Sequence, residues 1–130
     1  MPRTIAAALL AAICATAHAE VIEVTGKLGF LAEWEVSAKV TESVASDKAE
    51  FSGPLKVRHI GVCTHDGPDE MSGEIRYRIT GWIARRMHAT LVIDGAKCTF
   101  DGKLSGAYDG VISCDRWHGI PLSLAVGPAN

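Results

Sequence analysis

Side chains that can bind a transition metal lie in two stretches of the chain. His59, Cys63, His65 and Asp66 form the first, and Cys114 and His118 form the second. Thiolate and imidazole groups suit zinc or copper. Within a strand, however, His59 and Cys63 would lie about 13 Å apart, too far to share one ion. We therefore favour half-buried or solvated histidines, and keep Cys63, His65 and His118 as an alternative zinc or copper site.

Six basic side chains form a second group with possible chemistry. They are Lys56, Arg58, Arg76, Arg78, Arg85 and Arg86. Four of them occupy the polar faces of two predicted strands, so they would form one basic stripe if those strands pair. Such a stripe could hold an acidic partner. The interpretation that we favour is a solvated sheet face balanced by nearby glutamates.

The three tryptophans form a third group. Trp34 follows the alternation of the predicted core, whereas Trp82 and Trp117 lie near predicted strand ends. Exposed tryptophans often anchor interfaces. We favour the interpretation that these two plug the ends of a barrel, and keep a binding role as the alternative.

Catalytic patterns are weak in this chain. The sequence has no G-x-S-x-G, no H-E-x-x-H and no Walker glycine loop. Asp66, Asp69 and Glu70 could act as acids or hold calcium, but Gly67 and Pro68 between them favour a solvated turn. We therefore expect no enzymatic activity and no cofactor.

The N-terminal residues resemble an export signal. Arg3 precedes an uncharged apolar run from Ile5 to Ala17, and small residues at Ala17 and Ala19 suit cleavage after Ala19. This predicts a signal peptide over 1–19 and a single domain over 20–130 that is periplasmic or secreted. The run is too short to span a bilayer, so no membrane span is expected. The net charge of −2 gives no reason to expect a nucleic-acid partner.

Period-two alternation of apolar residues dominates the remainder of the chain. It predicts one or two strands over 22–40, with a break at Gly26 or Gly29, and further strands over 55–63, 74–80, 86–93 and 120–126. Residues 41–50 are predicted to be a loop, with a short helix as the alternative. Residues 64–73 are a predicted loop and 51–54 a turn, and Pro121 suggests an edge strand. Together with residues 94–114, the count is seven or eight strands. The expected fold is all-β, an antiparallel barrel or sandwich.

Two arrangements of residues 94–114 compete. Three Asp-Gly pairs could make a meander of short strands, which would hold Cys98 and Cys114 too far apart for a disulfide. A single hairpin about Gly106 instead places the two cysteines opposite each other, with Thr99 opposite Ser113 and one apolar face. We favour the hairpin and its disulfide. Cys63 is then a buried thiol, a link to a second chain or a ligand.

The chain is thus predicted to be a small exported β-domain, without enzymatic activity, that binds an unknown small ligand or protein partner. We expect the site in loops 64–73, 81–86 and 115–119, together at one end of the fold. The candidate binding residues are His65, Trp82, Arg85, Arg86, Arg116, Trp117 and His118. The alternatives are the metal-binding protein described above and a structural envelope component that self-associates through Cys63.

Overall fold

Eight β-strands, connected in sequence order, make up most of the computed structural model, which describes residues 20–45, 48–61 and 69–128. The strands are β1 (Val21–Leu28), β2 (Trp34–Ala45), β3 (Lys48–His59), β4 (Glu70–Thr80), β5 (Arg86–Ile93), β6 (Ala96–Ser105), β7 (Ala107–Cys114) and β8 (Ile120–Pro128). The described residues contain no helix long and apolar enough to cross a membrane. The predicted signal peptide lies outside the described residues.

Closure of the sheet distinguishes a barrel from a sandwich. Each strand pairs antiparallel with the next, and β1 also pairs with β8, placing Val24 opposite Val126. The all-β prediction is confirmed, and of its two architectures the fold is the closed barrel. Because every described strand has two neighbours, the described wall contains no edge strand.

The interior of the barrel is filled with apolar side chains. Alternate residues of each strand point inward, and twenty of them form one buried cluster. Tyr77, Phe100 and Met87 are among the largest that are completely buried. An eight-stranded barrel is just wide enough to be filled by side chains or to hold one small ligand. This barrel is filled by its own side chains.

Tyr77 brings a polar atom into this apolar interior. Its ring stacks on Phe51 with ring centroids 5.2 Å apart, and its buried hydroxyl has no hydrogen-bond partner within the described structure. Burial, with a smaller contribution from Tyr108, raises the pKa of Tyr77 to about 12. The hydroxyl is therefore neutral near pH 7, and the interior stays uncharged there.

Inward-facing glycines allow the wall to curve tightly. A Cβ atom at Gly73 would lie 1.6 Å from the carbonyl oxygen of Val92, and one at Gly26 would lie 1.9 Å from that of Ser123. Only glycine lets the neighbouring backbone approach this closely. Such positions are where a closed sheet makes its corners.

The hairpin about Gly106 and its disulfide are present. Cys98 pairs with Cys114 and Thr99 with Ser113, in the register that the sequence predicts. The Cα atoms of the bonded cysteines are 4.1 Å apart, and Gly106 at the tip has a φ of 78°. The meander is therefore excluded.

Several predicted boundaries are wrong. Residues 41–45 and 48–50 are neither a loop nor a helix, because β2 continues to Ala45 and β3 begins at Lys48, with Thr41 opposite Ser52. Pairing between β2 and β3 extends both strands through these residues despite their polar character. The predicted turn at 51–54 lies inside β3, where a Cβ at Gly53 would be 2.0 Å from the carbonyl oxygen of Lys39, so the strand curves there without turning back.

Three further corrections concern strand ends. β4 begins at Glu70, so the predicted loop 64–73 is shorter at its C-terminal side, while residues 62–68 lie outside the described part. Gly29, with a φ of 108°, ends the first alternating run, and Phe30 beyond it is 74% exposed instead of facing the core. Pro121 is not on an edge strand, because it lies opposite Val111 in the closed wall.

Replacing Gly73 by alanine tests the close approach of β4 and β5. The added methyl group would overlap the Val92 carbonyl, so we expect Gly73→Ala to lower the free energy of unfolding by about 1–3 kcal/mol or more. Gly127→Ala is the matched control, because a Cβ there would meet nothing within 4 Å. Urea unfolding measures both. Equal stability of the two variants would contradict this description of the wall.

Removing the disulfide tests its role in the hairpin. The bond joins residues separated by 16 positions, so Cys98→Ala with Cys114→Ala should lower the free energy of unfolding by about 3 kcal/mol. Denaturant unfolding without reductant measures the loss, and unfolding of the reduced natural chain should show a similar one. Peptide mapping that finds Cys98 and Cys114 unlinked would refute the bond itself.

Candidate functional site

The loops of this barrel fall into two groups at opposite ends. Because each strand reverses direction, the loops after β1, β3, β5 and β7 share one end, which we name the disulfide end. There, the backbone N–H of Gly29 donates to the carbonyl of Pro121 at 2.9 Å, and that of Ile60 donates to Glu33 at 2.8 Å. The loops after β2, β4 and β6 share the other end, which we name the arginine end.

The predicted single site is therefore divided. Trp82, Arg85 and Arg86 belong to the arginine end, whereas the loop containing Arg116, Trp117 and His118 belongs to the disulfide end. His65 lies outside the described residues. The expectation that loops 81–86 and 115–119 share one end is wrong, because three strands separate them and an odd number of strands places two loops at opposite ends.

The loop between β4 and β5 carries an apolar tip made of Trp82 and Ile83. These two side chains are 90% and 92% exposed. The base of the loop is fixed, since the backbone N–H of Leu104 donates to the carbonyl of Arg85 at 3.0 Å and Gly81 turns the chain with a φ of 81°. A tight loop thus presents two large apolar groups to solvent. Trp82 does not plug the barrel.

Four cations surround this tip, and we name them the arginine cluster: Arg78, Arg85, Arg86 and Lys103. Arg86 lies directly opposite Lys103 across β5 and β6, and Arg78 lies opposite His88. None of the four forms an ion pair within the described structure. Like charges directly opposite each other in a sheet are destabilising. The cluster therefore concentrates positive charge at some cost in stability.

Acidic groups near the cluster offset it only in part. The Asp101 carboxylate contacts Nδ1 of His88, whose Nε2 lies 3.2 Å from Oγ1 of Thr80. Asp109 lies opposite Lys103 but forms no ion pair with it in the described structure. Of these two carboxylates, that of Asp101 is already engaged by His88.

A depression of about 280 Å³ lies beside Arg85 at the same end. Arg85 and Leu104 lie on one side, and Leu104 is 42% exposed. Its apolar lining is Ile79, Leu104, Ala107, Tyr108, Leu124, Ala125 and Val126. The arginine end therefore combines an apolar tip, an apolar depression and unpaired cations.

The disulfide end also exposes apolar groups, but in a different electrostatic setting. Phe30 and Leu31 are 74% and 86% exposed, and Trp117 is 48% exposed. The Glu33 carboxylate accepts the backbone N–H of Leu31 at 2.9 Å, which fixes the tip of this loop. The charged residues of the described loops here are Glu33, Asp69, Asp94, Asp115 and Arg116, with His118 beside them. Among the described loop residues at this end, acidic groups outnumber basic ones.

The predicted basic stripe is also divided. Lys56 pairs with Glu70 at 3.4 Å, Arg58 with Glu35 at 3.5 Å and Arg76 with Glu50 at 2.9 Å. These three cations belong to a solvated face balanced by glutamates, as the favoured interpretation expects. The other three, Arg78, Arg85 and Arg86, belong to the arginine cluster.

The residues described do not assemble the alternative metal site. Cys114 is bonded to Cys98, and the described part of the chain contains no group of three or more His, Cys, Asp or Glu side chains able to hold an ion. The ring of His59 packs edge-on against Trp34 at 4.9 Å. Cys63 and His65 lie outside the described residues, so the metal-binding and Cys63-linked alternatives stay predictions.

Some residues of the arginine end are missing from the set predicted by sequence. Ile83 and Lys103 are the main omissions, and Arg78 is predicted only as part of the stripe. Ile83 could have been found because it adjoins Trp82 between two strands that bury alternate residues. Lys103 could not, since its proximity to Arg86 depends on the pairing of β5 with β6.

The fold and its ends define a class of protein, a filled, closed, antiparallel β-barrel that exposes its functional candidates on loops. Comparison with protein-family models, with curated proteins and with solved structures found no match for this chain. The physical character of the two ends is therefore the basis for a functional proposal.

Proposed function

We propose that this protein is an exported, non-enzymatic binding domain that docks onto an anionic partner surface through its arginine end. The observation that carries the proposal is the combination of an exposed Trp82 and Ile83 with four cations that lack ion pairs in the described structure. Export is supported by the signal-like N-terminus and by a disulfide, a bond that oxidising compartments favour.

Binding at an end of the barrel is favoured over binding inside it. The barrel axis is occupied by side chains such as Tyr77, Phe100 and Met87, each at most 1% exposed. The class of buried residues in the described structure contains no charged side chain that could orient a polar ligand or act on it. A partner surface that meets the loops needs neither an internal cavity nor a reaction centre.

Charge favours the arginine end over the disulfide end. The whole chain carries a net charge of −2, so the positive charge at this end is local and not a property of the molecule as a whole. Local charge of one sign raises the rate and strength of association with a surface of the opposite sign. A bound anion would reduce the repulsion between Arg86 and Lys103, which lie opposite each other on neighbouring strands.

Binding to immobilised poly-L-glutamate tests this function. We expect the chain beginning at Glu20 to bind and to dissociate as salt is raised, because exposed charges are screened. Arg85→Gln with Arg86→Gln should weaken binding by on the order of tenfold, since two unpaired cations are lost. Biolayer interferometry over a salt series measures both effects.

The matched control is Lys56→Gln with Arg58→Gln, which removes the same charge from cations already paired with Glu70 and Glu35. This variant should bind nearly as well as the natural chain. Equal weakening by both double variants would mean that attraction is a matter of net charge alone, and it would contradict a site at the arginine end.

A further inference from the structure

We infer that the anionic partner is a phospholipid bilayer, into whose interfacial layer Trp82 and Ile83 insert. The inference rests on the proposed function and names the class of surface that this end binds. Its basis is that an exposed apolar tip lies beside the arginine cluster. A purely electrostatic site would not need this tip, because neither Trp82 nor Ile83 contributes charge.

Burial of the tip favours a bilayer over a purely polar partner. Trp82 and Ile83 are almost completely exposed, so the protein alone leaves both in water. A hydrated polyanion or an acidic protein face would satisfy the cations but would leave this apolar surface exposed. The interface of a bilayer accepts both, and tryptophan in particular favours the level of the headgroups.

The position of the cations also favours a bilayer. Arg85 and Arg86 follow the tip after one intervening residue, and Arg78 and Lys103 lie on strands beside the base of the loop. When the tip enters the interface, these side chains come to the level of the phosphates, and their long aliphatic parts can cover apolar surface below. Burial of apolar area and attraction to anionic lipids both strengthen binding at a membrane interface.

The shape of the loop favours a lipid interface over a folded protein. The tip projects from a tight turn that is tied to β6 by the hydrogen bond between Leu104 and Arg85. Such a convex tip can enter a deformable lipid interface, whereas a folded protein partner would have to provide a matching pocket. Docked in this way, the barrel would direct its disulfide end, with Phe30 and Leu31, away from the membrane.

Vesicle flotation tests the inference. The chain beginning at Glu20 is mixed with vesicles of equal parts phosphatidylcholine and phosphatidylglycerol, or with pure phosphatidylcholine vesicles. We expect it to float with the anionic vesicles and not with the neutral ones. Trp82→Ser with Ile83→Ser should reduce the partition coefficient by more than about tenfold. Arg85→Gln with Arg86→Gln should reduce it about fivefold for each cation removed.

A matched control exists at the other end. Phe30→Ser with Leu31→Ser removes two similarly exposed apolar side chains and should leave flotation unchanged. In a chain where Trp34 and Trp117 are replaced by Phe, emission from Trp82 should shift to shorter wavelength on anionic vesicles, as its ring leaves water.

The outcomes separate this inference from the function on which it rests. Binding to poly-L-glutamate without flotation would overturn the bilayer and leave an acidic protein as the partner class. Flotation that survives loss of the tip would overturn insertion, and loss of flotation only in the Phe30 and Leu31 variant would overturn the choice of end. Failure of both poly-L-glutamate binding and flotation would overturn the proposed function as well.

Discussion

Pairing between the first and last strands is the constraint on which the rest of this structure depends. Val24 lies opposite Val126, and the ladder between β1 and β8 converts an open sheet into a closed barrel. Closure gives every strand two neighbours and turns alternate residues inward, where apolar side chains fill the space. Binding surfaces are then limited to the outer wall and the two ends. Inward glycines such as Gly73 permit the curvature that closure needs.

The arginine end carries features that stability alone does not favour. Arg86 faces Lys103 across a ladder, and Trp82 and Ile83 are exposed although the chain has a large apolar interior available. Both features lower stability or solubility in an isolated domain. Each becomes favourable against an anionic surface with an apolar layer beneath it. By contrast, several cations on the neighbouring wall, such as Arg58, are paired with glutamates.

Local pattern predicts this fold well wherever partners are close in sequence. The hairpin about Gly106 was predictable to the residue, because Cys98 and Cys114 lie on strands joined by a single turn. The choice of barrel over sandwich could not be predicted, since it depends on pairing between the first and last strands. The residues of the candidate site could be predicted in part, but their grouping at one end could not. Residue type singled out Trp82 and the arginines beside it. Their separation from Trp117 follows from the three strands, β5 to β7, that lie between the two loops in a closed sheet.

The most direct test of the central claim is an NMR map of the chain beginning at Glu20, recorded with and without nanodiscs that contain phosphatidylglycerol. We predict that the perturbed amides cluster around Trp82, Arg86 and Lys103. Residues lining the interior, such as Phe100, and the loop containing Phe30 should be unaffected. Perturbation of the interior, or of the disulfide end in place of the arginine end, would contradict the view that a filled barrel binds anionic surfaces through this one end.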